Sequence, residues 1–308
     1  MKIIYMGTPD FAVGPLEALI GEGYEVTAVV TQPDRPKGRS GKAQISPVKA
    51  CALSRGIPVL QPQRIKAPWA VEQLRSIPAD VFVVAAFGQI LSQEILDMPH
   101  LGCLCIHASL LPAYRGASPI QQAILNGEER TGVTVMRMDA GVDTGDILTQ
   151  AIVPIDPQET DESLSAKLCR AGSRLILETL PKLAAGELVP QKQDEAHCSH
   201  TKLLTKEMGR IDWTADAAVI ERKVRGLYSW PGAYCYYRGK LLKILSAQAC
   251  TGQEGAPGVV ESVEKDAFIV GTGRGSLAVR EVQMEGKKRM AVRDFLNGCR
   301  IGKGEKLE

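Results

Sequence analysis

His107 closes the run Cys103-Leu104-Cys105-Ile106-His107 and leads into Ser109-Leu110-Leu111-Pro112-Ala113-Tyr114-Arg115-Gly116. A histidine between an apolar strand and a loop punctuated by Pro and Gly is a candidate proton carrier, because imidazole changes charge near neutral pH. The same place also suits a satisfied core side chain. Downstream, Met138-Asp139-Ala140-Gly141-Val142-Asp143-Thr144-Gly145-Asp146 sets three carboxylates in a Gly-rich turn. Each alone reads as a turn residue. One of them beside His107 would orient the imidazole and favour its charged form.

Adding His100 gives the spacing His-x2-Cys-x-Cys-x-His, which superficially suggests zinc. On a strand, residues 103, 105 and 107 share one face. A C-x-C pair there splays its sulfurs, whereas structural zinc knuckles space them by two to four residues. No metal is therefore expected, and Cys103 reads as a small buried residue. The first strand runs into Met6-Gly7-Thr8-Pro9-Asp10-Phe11 without G-x-G-x-x-G, and no P-loop signature occurs. Nicotinamide binding and P-loop chemistry thus lose their main support.

Residues 31–50 form a long connection holding Arg35, Lys37, Arg39, Lys42 and Lys49 against Asp34 alone. Its three prolines and two glycines keep it out of regular structure. A basic loop of this length could grip a phosphate backbone, or be no more than a solvated connection.

The elements that must hold these residues alternate strand and helix. Strands are expected at Lys2–Met6, Glu25–Thr31, Pro58–Leu60, Asp80–Ala86 and Cys103–His107, with helices at Pro9–Ile20, Pro47–Ser54, Trp69–Ser76 and Ile90–Asp97. The nearly uninterrupted apolar runs at 80–86 and 103–107 mark strands buried on both faces. The series predicts an α/β unit with a mostly parallel sheet, whose ligands sit beyond the carboxyl ends of the strands. A long amphipathic helix follows from Asp161 to about Ala185, then a polar stretch without periodicity that reads as a linker. Beyond it come a helix at Ala215–Leu227, five short strands (Ala233–Tyr237, Leu241–Leu245, Gly258–Val263, Phe268–Thr272 and Ser276–Val282) and a last helix at Ala291–Asn297. That pattern fits a small OB-like β-barrel.

A chain of 308 residues is long enough for two domains. Its net charge of +2 speaks against a simple nucleic-acid binder, but the charge is uneven. Residues 205–308 carry 18 Lys and Arg against 13 Asp and Glu, as a segment meeting a polyanion would. No apolar run reaches the length of a membrane span, and the N-terminus reads as a strand, not a signal peptide. The eight scattered cysteines suit a reducing cytoplasm.

Taken together, MGTPDF, TQPDRPKGR, HASLLPAYRGASPIQ, the GVTVMRMDAGVDTGD run and the late KEMGRIDW resemble the methionyl-tRNA formyltransferases, in order and over essentially the whole chain. The resemblance implies transfer of formyl from 10-formyltetrahydrofolate to the α-amino group of initiator methionyl-tRNA, by a cytoplasmic monomer without metal or membrane. It implies a Rossmann-like formyltransferase domain over 1–188, a linker over 189–204 and an OB-like tRNA-binding domain over 205–308. His107 and Asp143 match the family's catalytic His and Asp. Ser109, Leu110, Leu111 and Pro112 match the loop that contacts the folate. Arg35, Lys37, Arg39 and Lys42 match the insertion that meets the tRNA acceptor end, with Arg39 the best match for its key basic residue. Arg222, Lys223, Arg225, Lys287, Lys288 and Arg289 are the candidates for the phosphate backbone in the C-terminal part.

One position departs from the pattern: the family's third catalytic residue, an Asn two before the His, is Cys105 here. An amine attacking a formyl carbon builds negative charge on the carbonyl oxygen, and losing one donor to such an oxyanion costs about 2.7–4 kcal/mol. Asn offers two N–H donors and a thiol one weak donor. A slow enzyme is therefore expected. Alternatives are a Cys105 formyl thioester, a folate-dependent formyltransferase acting on a nucleotide sugar or on glycinamide ribonucleotide, and a non-catalytic tRNA- or folate-binding relative.

Overall fold

The apolar runs of the N-terminal half assemble into one twisted sheet. The computed structural model describes residues 1–36, 43–251 and 255–308. They divide into two units: Met1–Pro119 with Arg130–Pro154 and Ser165–Thr201, and Ile120–Glu129 with Ile155–Leu164 and Lys202–Glu308.

The first unit carries strands β1 (Lys2–Gly7), β2 (Glu25–Val30), β3 (Val59–Leu60), β4 (Val81–Ala85), β5 (Cys103–His107), β6 (Arg130–Arg137) and β7 (Ile147–Pro154). Their order is β7-β6-β5-β4-β1-β2-β3. Pairing is parallel from β3 across to β5, then antiparallel at β5–β6 and β6–β7. The sheet is thus mixed: the last two strands return as a hairpin through the carboxylate-rich turn, which needs no crossover helix. Strands β4 and β5 are buried at every position, which is why their sequences lack the alternation of a half-exposed strand.

Helices α1 (Val13–Gly21), α2 (Pro47–Ser54), α3 (Pro68–Ser76) and α4 (Gln93–Leu96) link the parallel strands. The start of α2 is written locally: Ser46 accepts a hydrogen bond from the Lys49 N–H and Pro47 occupies the first turn. Leu74 of α3 and Ile95 of α4 pack with Ile4, Val30, Phe82 and Val84 in an aliphatic core. Each such side chain contributes roughly 1.5–3 kcal/mol by leaving water. Helices α5 (Pro119–Asn126) and α6 (Asp161–Ala184) follow.

The second unit holds α7 (Ala217–Gly226), β8 (Ala233–Tyr237), β9 (Lys240–Cys250), β10 (Val260–Val263), β11 (Phe268–Gly271), β12 (Ser276–Met284) and α8 (Val292–Gly298). Its antiparallel sheet has the order β8-β9-β12-β11-β10, with Met290–Ala291 added beside β12. The strand-to-strand ladder is open between β8 and β10. Residues 304–308 lie against both of these edges. The Val260 N–H donates to Glu305 O at 2.8 Å, while Tyr236 and Glu308 exchange backbone bonds of 2.7 and 2.8 Å. Trp213, Ile220, Leu242, Phe268, Val282 and Phe295 meet in its core.

Candidate active site

Strand β5 delivers His107 to the carboxyl edge of the sheet with 7% of its surface exposed. Opposite it in β6 stands Thr134, whose hydroxyl donates to Ser109 O (2.7 Å) and accepts from the Leu111 N–H (3.1 Å) and Gln150 Nε2 (3.0 Å). One buried threonine thus sets the start of the loop after His107. Ser109 donates to Ala113 O at 2.6 Å, and the Leu111–Pro112 peptide is cis. Tyr114, at φ +63°, turns its carbonyl back to His107 Nε2 at 2.9 Å.

The β6–β7 turn brings the carboxylate. Asp143 Oδ2 lies 3.6 Å from His107 Nδ1 and accepts from the Gly116 N–H at 2.8 Å. Asp139 instead accepts from the Gly141 N–H and the Thr144 hydroxyl, at 3.0 and 2.7 Å, as a turn residue does. Gly145 is obligatory for close approach, because a Cβ there would sit 1.8 Å from Arg137 O. Asp143 itself adopts φ +54°. Two non-glycine residues in the left-handed region, Tyr114 and Asp143, therefore hold the two contacts of the imidazole, and such strain persists only where the surroundings over-determine it.

Cys105 lies two residues before His107 on β5, paired to Val84 and Met136. It is 8% exposed and packs with Leu111, Met136 and Ile147. Burial pushes its thiol well above the usual range, and the charge of Asp143 adds to the effect. The nucleophile in thiol chemistry is the thiolate, so this environment disfavours a formyl thioester. Burial likewise pushes the Cys103 thiol up to about 12. His100 is largely exposed and faces Asp80 at 3.9 Å. Among the described residues, no three His, Cys, Asp or Glu side chains are arranged to hold a metal ion.

Of the four expected folate-loop residues, Ser109 and Leu111 are buried, and Leu110 and Pro112 are partly exposed. Where β1, β2 and β4 end, a cavity of about 580 Å³ opens, lined by Thr8, Gln32, Arg35, Ser46, Ala86 and Gly88. Its floor is cross-linked: Thr8 Oγ1 and Gln32 Nε2 both donate to Phe87 O, at 3.1 and 3.2 Å. Arg35 is exposed at its rim, whereas Lys37, Arg39 and Lys42 lie outside the described residues.

In the second unit the basic candidates differ in their engagement. Arg225 forks onto Glu221 and donates to Glu159 O at 2.9 Å. Lys223 donates to Arg210 O at 2.8 Å, and burial lowers its ammonium pKa. Arg289 is paired with Glu281 and Tyr228. Arg222 lies over Gly127, beside a cavity of about 330 Å³. Lys287 and Lys288 are exposed.

Sequence reasoning missed the residues behind the loop. Arg115 is 1% exposed. Its guanidinium forks onto Glu195 at 2.8 and 3.1 Å and donates to Gln193 Oε1 at 2.9 Å. Ser199 accepts from the Tyr114 N–H at 2.8 Å, and His200–Thr201 pairs in parallel with Arg115–Gly116. The 189–204 segment, expected as a linker, is bonded to both loops of the site, through Ser199 to the loop after β5 and through Gln193 to Asp143 O and Gly145 O of the β6–β7 turn. Its polar residues carry no periodicity because their partners lie in loops, not on a face of sheet or helix.

The chain matches the family described as formyl transferase over residues 1–180, and its C-terminal domain over residues 203–300. It is 51% identical to the methionyl-tRNA formyltransferase of Agathobacter rectalis, over 99% of this chain and 98% of that one. Among solved structures, it resembles the sugar 3N-formyl transferase WlaRD, with a TM-score of 0.69 and 22% identity over 94% of this chain and 99% of that one. It also resembles HypX from Aquifex aeolicus in complex with tetrahydrofolic acid, with a TM-score of 0.66 and 20% identity over 96% of this chain and 47% of that one.

Proposed function

The chain belongs to the methionyl-tRNA formyltransferase family, and from that premise we propose how its site carries the reaction. The enzyme transfers a formyl group from a formyl-tetrahydrofolate to the amino group of methionine on initiator tRNA. The donor in this reading is 10-formyltetrahydrofolate. The pair His107 and Asp143, brought within 3.6 Å from the end of β5 and from the β6–β7 turn, carries the assignment.

The neutral methionyl amine attacks the formyl carbon, and the C=O electron pair moves onto oxygen. His107 Nε2 is engaged by Tyr114 O, so the edge that meets the reacting group is Nδ1, which it shares with Asp143. A proton at Nδ1 donates to the oxyanion, and the Asp143 carboxylate balances the imidazolium. Collapse breaks the bond from carbon to N10. The proton lost by the amine ends on N10, through water, and tetrahydrofolate leaves as a neutral amine. Leu110 and Pro112 are the loop residues with surface left to offer the folate. Cys105 stands where an amide donor would complete the oxyanion site, so transfer is slow.

The cavity beside Arg35 suits the acceptor end of the tRNA, whose phosphates the basic 31–50 loop would neutralise. Residues 1–188 form the catalytic domain in this reading and 205–308 an OB-like tRNA-binding domain. The tail bonded to both β8 and β10 supports a closed barrel. A charged tRNA as substrate fits a cytoplasmic enzyme, as do eight free cysteines. Among the described residues no helix is long and apolar enough to cross a membrane. The likeness to a sugar formyltransferase is one of fold at 22% identity, and the 51% identical relative outweighs it.

The test is formylation of charged initiator tRNA. His107→Ala should lose most turnover while keeping its fold by circular dichroism, and wild-type turnover in that variant would refute the assignment.

A further inference from the structure

Asp143 sits in the left-handed backbone region, at φ +54°, a conformation that strains a non-glycine residue and persists only where its surroundings hold it. Two bonds hold it there. The Gly116 N–H donates to its carboxylate at 2.8 Å, and Gln193 Nε2 donates to its carbonyl at 2.8 Å. The same amide nitrogen donates to Gly145 O at 2.7 Å, so it spans the turn on both sides of Thr144. The orientation of this amide is forced. Its oxygen faces Arg115 Nε at 2.9 Å, and a guanidinium can only donate. Arg115 is itself fixed by the fork of Glu195, and it directly precedes Gly116.

We infer that Gln193 is a positioning residue for formyl transfer. Its amide, anchored on Arg115, fixes the carbonyl of Asp143 and thereby the distance from Asp143 to His107. The inference rests on the reading of His107 and Asp143 as the catalytic pair. It makes the segment around residue 193 part of the site: Gln193 grips the β6–β7 turn, while Ser199 and Thr201 grip the loop after β5.

Two variants separate this role from packing. Gln193→Ala removes both donors and the acceptor. Gln193→Glu keeps the volume and the acceptor for Arg115 but has no donor for the two carbonyls. We expect kcat to fall about 10- to 100-fold in both, as a small misplacement of reacting groups does, with KM for donor and tRNA within about twofold. Because the chain has only four histidines, the imidazole nitrogen NMR signals are assignable, and the His107 Nδ1 signal should move in both variants. If Gln193→Ala does not fold, Gln193→Glu decides. Wild-type kcat in folded Gln193→Glu overturns the inference. So does a loss confined to KM for tRNA, or an unmoved His107 signal. Asp143→Asn is measured alongside. If Asp143→Asn is inactive while Gln193→Glu turns over normally, only the positioning role fails. If Asp143→Asn turns over normally, the catalytic reading fails and the positioning role with it.

Discussion

The imidazole of His107 is held from both sides: Tyr114 O faces Nε2 at 2.9 Å and Asp143 Oδ2 faces Nδ1 at 3.6 Å. The second distance exceeds a hydrogen bond, so Asp143 acts there through its charge. Asp143→Asn keeps the shape and an oxygen for the Gly116 N–H but removes that charge. Turnover should fall by at least about 100-fold, within the range that a proton-transfer group contributes. Steady-state formylation together with a melting curve checks this, and a large fall in Tm would point to folding instead.

Cys105→Asn is the converse experiment. It places two N–H donors two residues before His107, where the proposed mechanism puts the charge of the oxyanion. If the thiol is the deficient group, kcat should rise, by up to about 100- to 1000-fold. Because burial keeps the sulfur as a thiol, no adduct should appear by mass spectrometry when donor is added without tRNA. Equal rates for the two proteins would show that the rest of the site already compensates for the missing amide.

Asp143 was singled out from the three carboxylates of its Gly-rich turn only by the family resemblance, whereas His107 was legible before any fold was known, because a strand end announces itself in sequence. So were the buried strands β4 and β5, whose apolar runs admit no other reading. The antiparallel return of β6 and β7 was not read as a change of sheet type, since a hairpin and a crossover begin with the same β-branched run. Strand β9 runs on to Cys250 beyond its expected end at 245, because its second half is only partly buried and so lacks an apolar signature. Gln193, Glu195 and Arg115 were invisible for a different reason. A charged or amide side chain in an aperiodic stretch looks solvated until its partner is located in another loop.

The tail of the second unit should give that unit an acid-sensitive stability. Hydrogen bonds from Tyr237, Arg238 and the Gly302 N–H hold the Glu305 carboxyl down at about 2. A carboxylate depressed below its unfolded value of about 4.3 contributes stability that is complete above that value. The contribution is lost as pH falls toward 2, when the native state must take up the proton. Between about pH 5 and 2, Tm of the wild type should fall more steeply than Tm of Glu305→Gln, which has no proton to gain. Parallel slopes would mean that Glu305 is not coupled to folding.

The basic residues of the second unit should divide into two classes under mutation. Arg225 is committed to Glu221 and to Glu159 O, so Arg225→Ala should lower Tm and leave the salt dependence of tRNA binding unchanged. Truncating one partner of such a part-buried pair strands the other charge. Lys287 and Lys288 are exposed and precede α8, free to meet a phosphate backbone. The double variant Lys287→Ala/Lys288→Ala should weaken tRNA binding at low salt and leave Tm nearly unchanged. The slope of log K against log salt should become shallower by up to about 2. Binding measured across a salt series decides between them. If Arg225→Ala flattened the slope and the lysine pair did not, the polyanion surface would lie on α7.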